Sequence, residues 1–149
     1  MPRLILLSLR PRFSSSLLNG SKTVEIRRSS GTISGGDVCL LYASSPERAL
    51  VGVARLGDVV TQAPSTIWRK FGDRAGVSRA EFLEYTAGCE RASALVVDRV
   101  VAFDHPVGLA DLRLRSEGFL APQSYRFVRE LEAGRLLNGE AEVVRALSM

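Results

Sequence analysis

The chain has 149 residues, of which 46% are apolar and 24% charged, with a formal net charge of +4 at neutral pH. That size predicts one domain, residues 1–149, around one core, and the composition excludes a disordered polar chain. No apolar run is long enough to cross a bilayer as a helix, and the opening Leu4-Ile5-Leu6-Leu7 is cut short by Arg10 and Pro11, unlike a signal peptide. The expected address is the cytoplasm. The positive charge permits an anionic partner such as RNA, but the arginines are dispersed rather than gathered into a basic run, so charge alone assigns no partner.

Leu4 to Leu9 reads as a short strand covered on both faces. Pro11 opens a helix carrying Phe13, Leu17 and Leu18, and Asn19-Gly20 stops it. Thr23 to Arg28 then alternates, with Val24 and Ile26 on one face and Thr23, Glu25 and Arg27 on the other. Turns at Ser29-Ser30-Gly31 and Ser34-Gly35-Gly36 lead into a strand from Asp37 to Ala43, closed by Ser44-Ser45-Pro46. Leu50 to Val60 is rich in β-branched residues, and its Gly52 and Gly57 predict a bend or bulge. Pro64 to Phe71 is a short helix, and Ser78-Arg79-Ala80-Glu81 is a capping box for the next one, which Gly88 ends. Ala92 to Phe103 is a strand, Asp104-His105-Pro106 a turn, and Leu109 to Arg115 a short helix or turn. Pro122 predicts a helix from about Gln123 to Ala133, with Phe127, Val128 and Leu131 facing a core; Leu136 to Met149 is a terminal helix or a frayed tail. Helices sit in the connections without alternating regularly with strands. The expected class is therefore α+β with a mostly β core, a small barrel of mostly antiparallel strands.

The residues with chemical promise gather around the second strand. Eighteen arginines and two lysines, Lys22 and Lys70, supply the positive charge, so a lysine at position 22 is unusual for this chain. A site needing a compact ammonium is one reason for it; a solvated turn after Asn19-Gly20 is another. Residues two apart on a strand face lie about 7 Å from each other, so Glu25 and Arg27 can line one pocket, with Lys22 redirected to its mouth by the turn. Ser44 and Ser45 end a strand with two hydroxyls. Gln123, Ser124 and Tyr125 are expected at a helix N-terminus, which suits phosphate or a base edge, and Trp68 offers a stacking surface or core packing. Cys39, inside an apolar run, reads as buried; nothing in the spacing calls for a metal or a cofactor, and no glycine-rich phosphate loop is present.

Taken together, Leu7-Ser8-Leu9-Arg10-Pro11, Gly20-Ser21-Lys22-Thr23-Val24-Glu25-Ile26-Arg27 and Gly36-Asp37 resemble an ASCH domain of the PUA-like superfamily. Tyr42-Ala43-Ser44-Ser45-Pro46, Val51-Gly52-Val53-Ala54 and Pro122-Gln123-Ser124-Tyr125 extend the resemblance through almost the whole chain. The resemblance implies a barrel of five to six strands with a cleft beside the first helix, lined by Lys22, Glu25 and Arg27. It also implies RNA or a nucleoside or nucleotide as ligand; in such a cleft the strand-end and aromatic residues are expected to add polar contacts from Ser44, Ser45, Gln123 and Ser124 and a stacking surface from Tyr125 or Trp68. One branch hydrolyses acetylated cytidine with a lysine, a threonine and a glutamate, which here would be Lys22, Thr23 and Glu25. That branch places its threonine two residues after the lysine, where this chain has Val24. Other members are ribonucleases. The readings carried forward are an RNA- or modified-nucleotide-binding domain and, alternatively, an amidohydrolase or a ribonuclease.

Overall fold

The computed structural model describes residues 2–138 and 140–148. In chain order its elements are β1 (Leu4–Leu9), α1 (Pro11–Leu18), β2 (Val24–Arg27), β3 (Val38–Ala43), β4 (Ala49–Gln62), α2 (Pro64–Phe71), α3 (Arg79–Thr86), β5 (Ala92–Gly108), α4 (Leu109–Arg115), β6 (Tyr125–Val128), α5 (Glu130–Leu137) and α6 (Ala141–Ser148). The strands form one mixed sheet in the order β2-β5-β4-β3-β1-β6. β1 and β3 run parallel, with Leu4 opposite Val38 and Leu9 opposite Ala43, and every other neighbouring pair is antiparallel. A parallel pair needs a crossover, and α1 with β2 supplies it.

The sheet curls into a half-barrel because its longest ladder is irregular. Between β4 and β5 the register shifts at Leu50/Gly52, Arg55/Leu56 and Leu56/Asp58, and each bulge adds bend and twist. Gly52 is required at the first of these, since a Cβ there would lie 2.6 Å from the Val101 carbonyl oxygen and 2.6 Å from a Leu18 methyl. Strand alternation then sorts the apolar residues by face. Ile5, Leu7, Cys39, Leu41, Leu56 and Leu95 fill the inside of the curl beneath Leu17 of α1. Leu6, Leu40, Tyr42 and Leu50 pack outside, against Leu112 of α4 and Leu136 of α5. Val24 and Ile26 pack behind β2 on Ile67 of α2 and Phe82 of α3.

The mostly antiparallel β core with helices in its connections is as expected, but two local features differ from the sequence reading, and the tail takes the first of its two expected forms. The helix expected over Gln123 to Ala133 is instead β6 followed by α5. Tyr125-Arg126-Phe127-Val128 has aromatic and β-branched character and pairs with the free edge of β1, Tyr125 opposite Leu7 and Val128 opposite Leu4. As a result Val128 is buried, whereas Phe127 and Leu131 are exposed. β5 runs on through Asp104-His105-Pro106 to Gly108. The ladder passes from Ala102 opposite Gly52 to Val107 opposite Leu50, so Pro106 sits in a bulge where its missing N–H breaks no pairing. The tail forms α6 over Ala141–Ser148, and Met149 lies outside the described residues. The capping box forms as read, with Ser78 Oγ accepting from the Glu81 N–H (3.1 Å) and Glu81 Oε1 from the Ser78 N–H (3.0 Å).

Candidate functional site

The outer edges of the curled sheet, β2 and β6, share no ladder, and the charged residues of β2 lie in the seam between them. The parity of β2 puts them there. With Val24 and Ile26 anchored behind the strand, Glu25 stands opposite Leu95 and Arg27 opposite Ser93, on the face that looks into the curl. Lys22 precedes the strand. Gly20, at φ +83°, turns the chain out of α1; the Lys22 N–H donates to Ser16 O (3.1 Å) and the Thr23 N–H to Arg74 O (2.9 Å). The Lys22 side chain is thereby directed inward.

One carboxylate then bridges two cations. Lys22 Nζ lies 3.1 Å from Glu25 Oε1, and Arg27 Nε donates to Glu25 Oε2 at 2.8 Å. The ammonium also donates to the Ala75 carbonyl and sits 4.8 Å from the centre of the Phe13 ring. Arg27 Nη2 donates to the Ser8 carbonyl (2.8 Å) and Nη1 to Ser124 Oγ (3.1 Å). Arg27 therefore clasps the seam, reaching from β2 to β1 and to the residue before β6. The side chains of Lys22, Glu25 and Arg27 are 2%, 9% and 12% exposed, so the cluster is nearly closed to water and only Arg27 reaches the rim. Burial pushes the Lys22 ammonium below the ordinary lysine range, against the opposing attraction of Glu25.

The other candidates are scattered. Thr23 Oγ1 accepts from Arg74 Nε (2.9 Å) and, among the described residues, makes no hydrogen bond with Lys22 Nζ. Ser44 and Ser45 follow β3, where the Ser44 N–H donates to Leu9 O (2.8 Å) and the Ser45–Pro46 bond is cis; neither hydroxyl bonds to the cluster among the described residues. Trp68, half-buried, packs on Phe82 at 5.1 Å between ring centres, against the edge of the core behind β2 and away from the cluster. Gln123 is exposed, and Ser124, also exposed, bonds Arg27; both precede a strand, so no helix N-terminus stands beside them. Tyr125 directs its hydroxyl to within 3.5 Å of Ser30 O.

Sequence reasoning missed four participants. Ser8 and Ala75 act through their carbonyls, which carry no residue-type signature, although Ser8 does interrupt the apolar run of β1. Phe13 reads as core from its spacing and covers the ammonium as well. Ser93 lies buried opposite Arg27 and joins Thr61 (2.8 Å) and Ser30 (3.2 Å) in a chain of hydroxyls. A serine within an otherwise apolar strand was the available signal there.

An α+β half-barrel with a buried cation–carboxylate–cation cluster at its open seam is the class of protein these features define. The chain belongs to the family described as Domain of unknown function (DUF365), whose model matches residues 6–112, and it is an ASCH-domain protein of the PUA-like superfamily. It is 29% identical over 141 residues, 92% of each chain, to a protein of Zymomonas mobilis named ASCH domain-containing ribonuclease. The crystal structure of ASCH from Zymomonas mobilis superposes with a TM-score of 0.86 at 28% identity, covering 92% of this chain and 95% of that one. The N-terminal domain of Staphylothermus marinus McrB shares the fold, with a TM-score of 0.60 at 9% identity over 93% of this chain and 95% of that one. No described helix is long and apolar enough to cross a membrane.

Proposed function

We propose that the protein binds RNA, or a single nucleotide, at the mouth of the seam, with Arg27 and Ser124 making the first contacts. The observation that carries this reading is the charge balance of the cluster. Two cations share one carboxylate in a nearly dry seam, which leaves net positive charge where water screens it least. Arg27 faces the rim with N–H donors to spare, since a guanidinium has five and its described bonds use one on each nitrogen. A phosphate oxygen matches that demand in charge and geometry. Lys22 and Glu25 lie behind Arg27 and act by fixing it.

In a fluorescence anisotropy titration with a labelled oligouridine, Arg27→Ala is expected to weaken binding at least tenfold. It should also flatten the salt dependence by about 0.7 in log–log slope, the share of one phosphate contact on a single strand. Unchanged affinity and slope would refute the reading.

Cleavage of the RNA is a second reading, favoured by the name of the Zymomonas mobilis relative. Arg27 would then neutralise charge developing on the phosphate as the 2′-hydroxyl attacks. Incubating the same oligonucleotide with wild type and Arg27→Ala decides it, and cleavage no faster than in the variant removes it. The amidohydrolase reading needs the Thr23 hydroxyl beside the Lys22 ammonium, and that hydroxyl is engaged by Arg74 instead.

A further inference from the structure

Beyond Arg27 a strip of aromatic and cationic side chains runs along β6. Tyr125 follows Ser124, the serine held by Arg27. Tyr125 and Phe127 share one face of β6, and their rings meet edge to face, with centres 6.1 Å apart and planes at 88°. The Arg3 guanidinium lies over the Phe127 ring at 4.6 Å. Arg3 is anchored by Asp37 through Nε (3.1 Å) and Nη2 (2.8 Å), and Nη2 also reaches the Thr32 carbonyl and Ser34 Oγ (3.1 Å). Its Nη1 has no hydrogen-bond partner among the described residues, and the side chain is 44% exposed. Phe127 is 39% exposed, against the usual burial of a phenylalanine on the inward face of a strand.

Resting on the RNA-binding reading above, we propose that this strip is the track for a single strand of RNA. One phosphate sits at Arg27, the next bases stack on Tyr125 and Phe127, and a further phosphate meets Arg3. Aromatic faces alternating with guanidinium groups are what a single strand needs, because each base has a π-face and each link a negative charge. Neighbouring side chains on the strand face repeat at about 7 Å, close to the phosphate-to-phosphate step of an extended strand. The perpendicular rings select further. Bases stacked on planes 88° apart cannot remain stacked on each other, so the track takes splayed single strands and rejects a duplex.

The test is a length series of 5′-labelled oligouridines, from one to six nucleotides, and a duplex of matching length, titrated against wild type, Phe127→Ala and Phe127→Leu. Wild type is expected to bind the hexamer at least tenfold tighter than the mononucleotide and tighter than the duplex. Both variants should lose roughly tenfold on the hexamer, the order of one base-stacking contact, while binding the mononucleotide as wild type does. Phe127→Leu keeps apolar volume, so a loss common to both variants, at unchanged melting temperature, reads the ring itself. Hexamer affinity unchanged in both variants, or a duplex bound as tightly as the single strand, overturns the track while leaving Arg27 as the nucleotide site. Wild type binding none of the oligonucleotides overturns the parent reading together with the track.

Discussion

Replacing Glu25 by glutamine removes the only negative charge between Lys22 and Arg27 while keeping the shape of the side chain. The carboxylate lies 3.1 Å from the ammonium and 2.8 Å from the guanidinium. At an effective dielectric of about 20, each contact supplies about 5–6 kcal/mol before desolvation is counted. Desolvation cancels much of that, and breaking a buried pair by removing one partner costs about 3–5 kcal/mol net. Lys22 sets a ceiling on its share, because a stranded ammonium can shed its proton. From an unfolded value of 10.5, deprotonation costs about 5 kcal/mol at pH 7 but only about 2 kcal/mol at pH 9, at 1.36 kcal/mol per unit. The sign follows from proton counts: the folded-state value of Lys22 lies below 10.5, so between the two values the unfolded chain holds more protons and stability rises with pH. Losing Glu25 widens that window downward. Urea unfolding of Glu25→Gln should therefore show a destabilisation of about 3–5 kcal/mol at pH 7 that is smaller at pH 9, where the Lys22 share is capped at about 2 kcal/mol while the share of Arg27, which keeps its proton, persists. A cost that is the same at both pH values, or below about 1 kcal/mol at pH 7, would refute the buried-pair argument.

Two further outcomes are expected. Gly76 holds φ +67°, and a Cβ there would lie 3.2 Å from Lys22 Cβ; Gly76→Ala should thus cost about 1–2 kcal/mol in thermal unfolding from its backbone alone, and more if Lys22 is displaced. Wild-type stability in the variant would show that this turn is not held as described. Cys39 is fully buried with its thiol pushed up to about 12, whereas Cys89 is partly exposed. A thiol reagent should accordingly modify one cysteine per chain in the native state and two in urea, and rapid modification of Cys39 in the folded protein would contradict its burial.

The parity of β2 was legible because period-two alternation survives when one face is buried in a core: Val24 and Ile26 alone put Glu25 and Arg27 together. The cysteine and the capping box were legible for similarly local reasons. β6 was not. Four residues paired to a distant edge carry little periodicity, and Pro122 looks the same before a strand as before a helix. Trp68 illustrates a different limit. Its neighbours Ile67 and Phe71 are compatible with a stacking surface or a core, and only the packing of α2 behind Val24 and Ile26 shows that the ring lies half-buried against Phe82. The acceptors that complete the cluster, Ser8 and Ala75, contribute backbone carbonyls, which any residue would supply.

If Arg27 meets phosphate as proposed, the clasp lets one arginine close the seam and remain available to that ligand. Its bonds to Glu25 and to the Ser8 carbonyl, both 2.8 Å, fix the guanidinium plane from below. Its third described bond goes to Ser124 Oγ, a neutral acceptor at 3.1 Å on an exposed residue. A phosphate oxygen is a stronger acceptor than a hydroxyl because the bond is charge-assisted at both ends. An arriving phosphate can therefore take Nη1 from Ser124 while the two inner bonds stay in place, and the released hydroxyl becomes a donor to the same phosphate. On the proposed reading, binding then trades a bond charge-assisted at one end for one charge-assisted at both, without opening the half-barrel, which requires the inner bonds to Glu25 and Ser8, rather than the outer one to Ser124, to carry the stability of the seam.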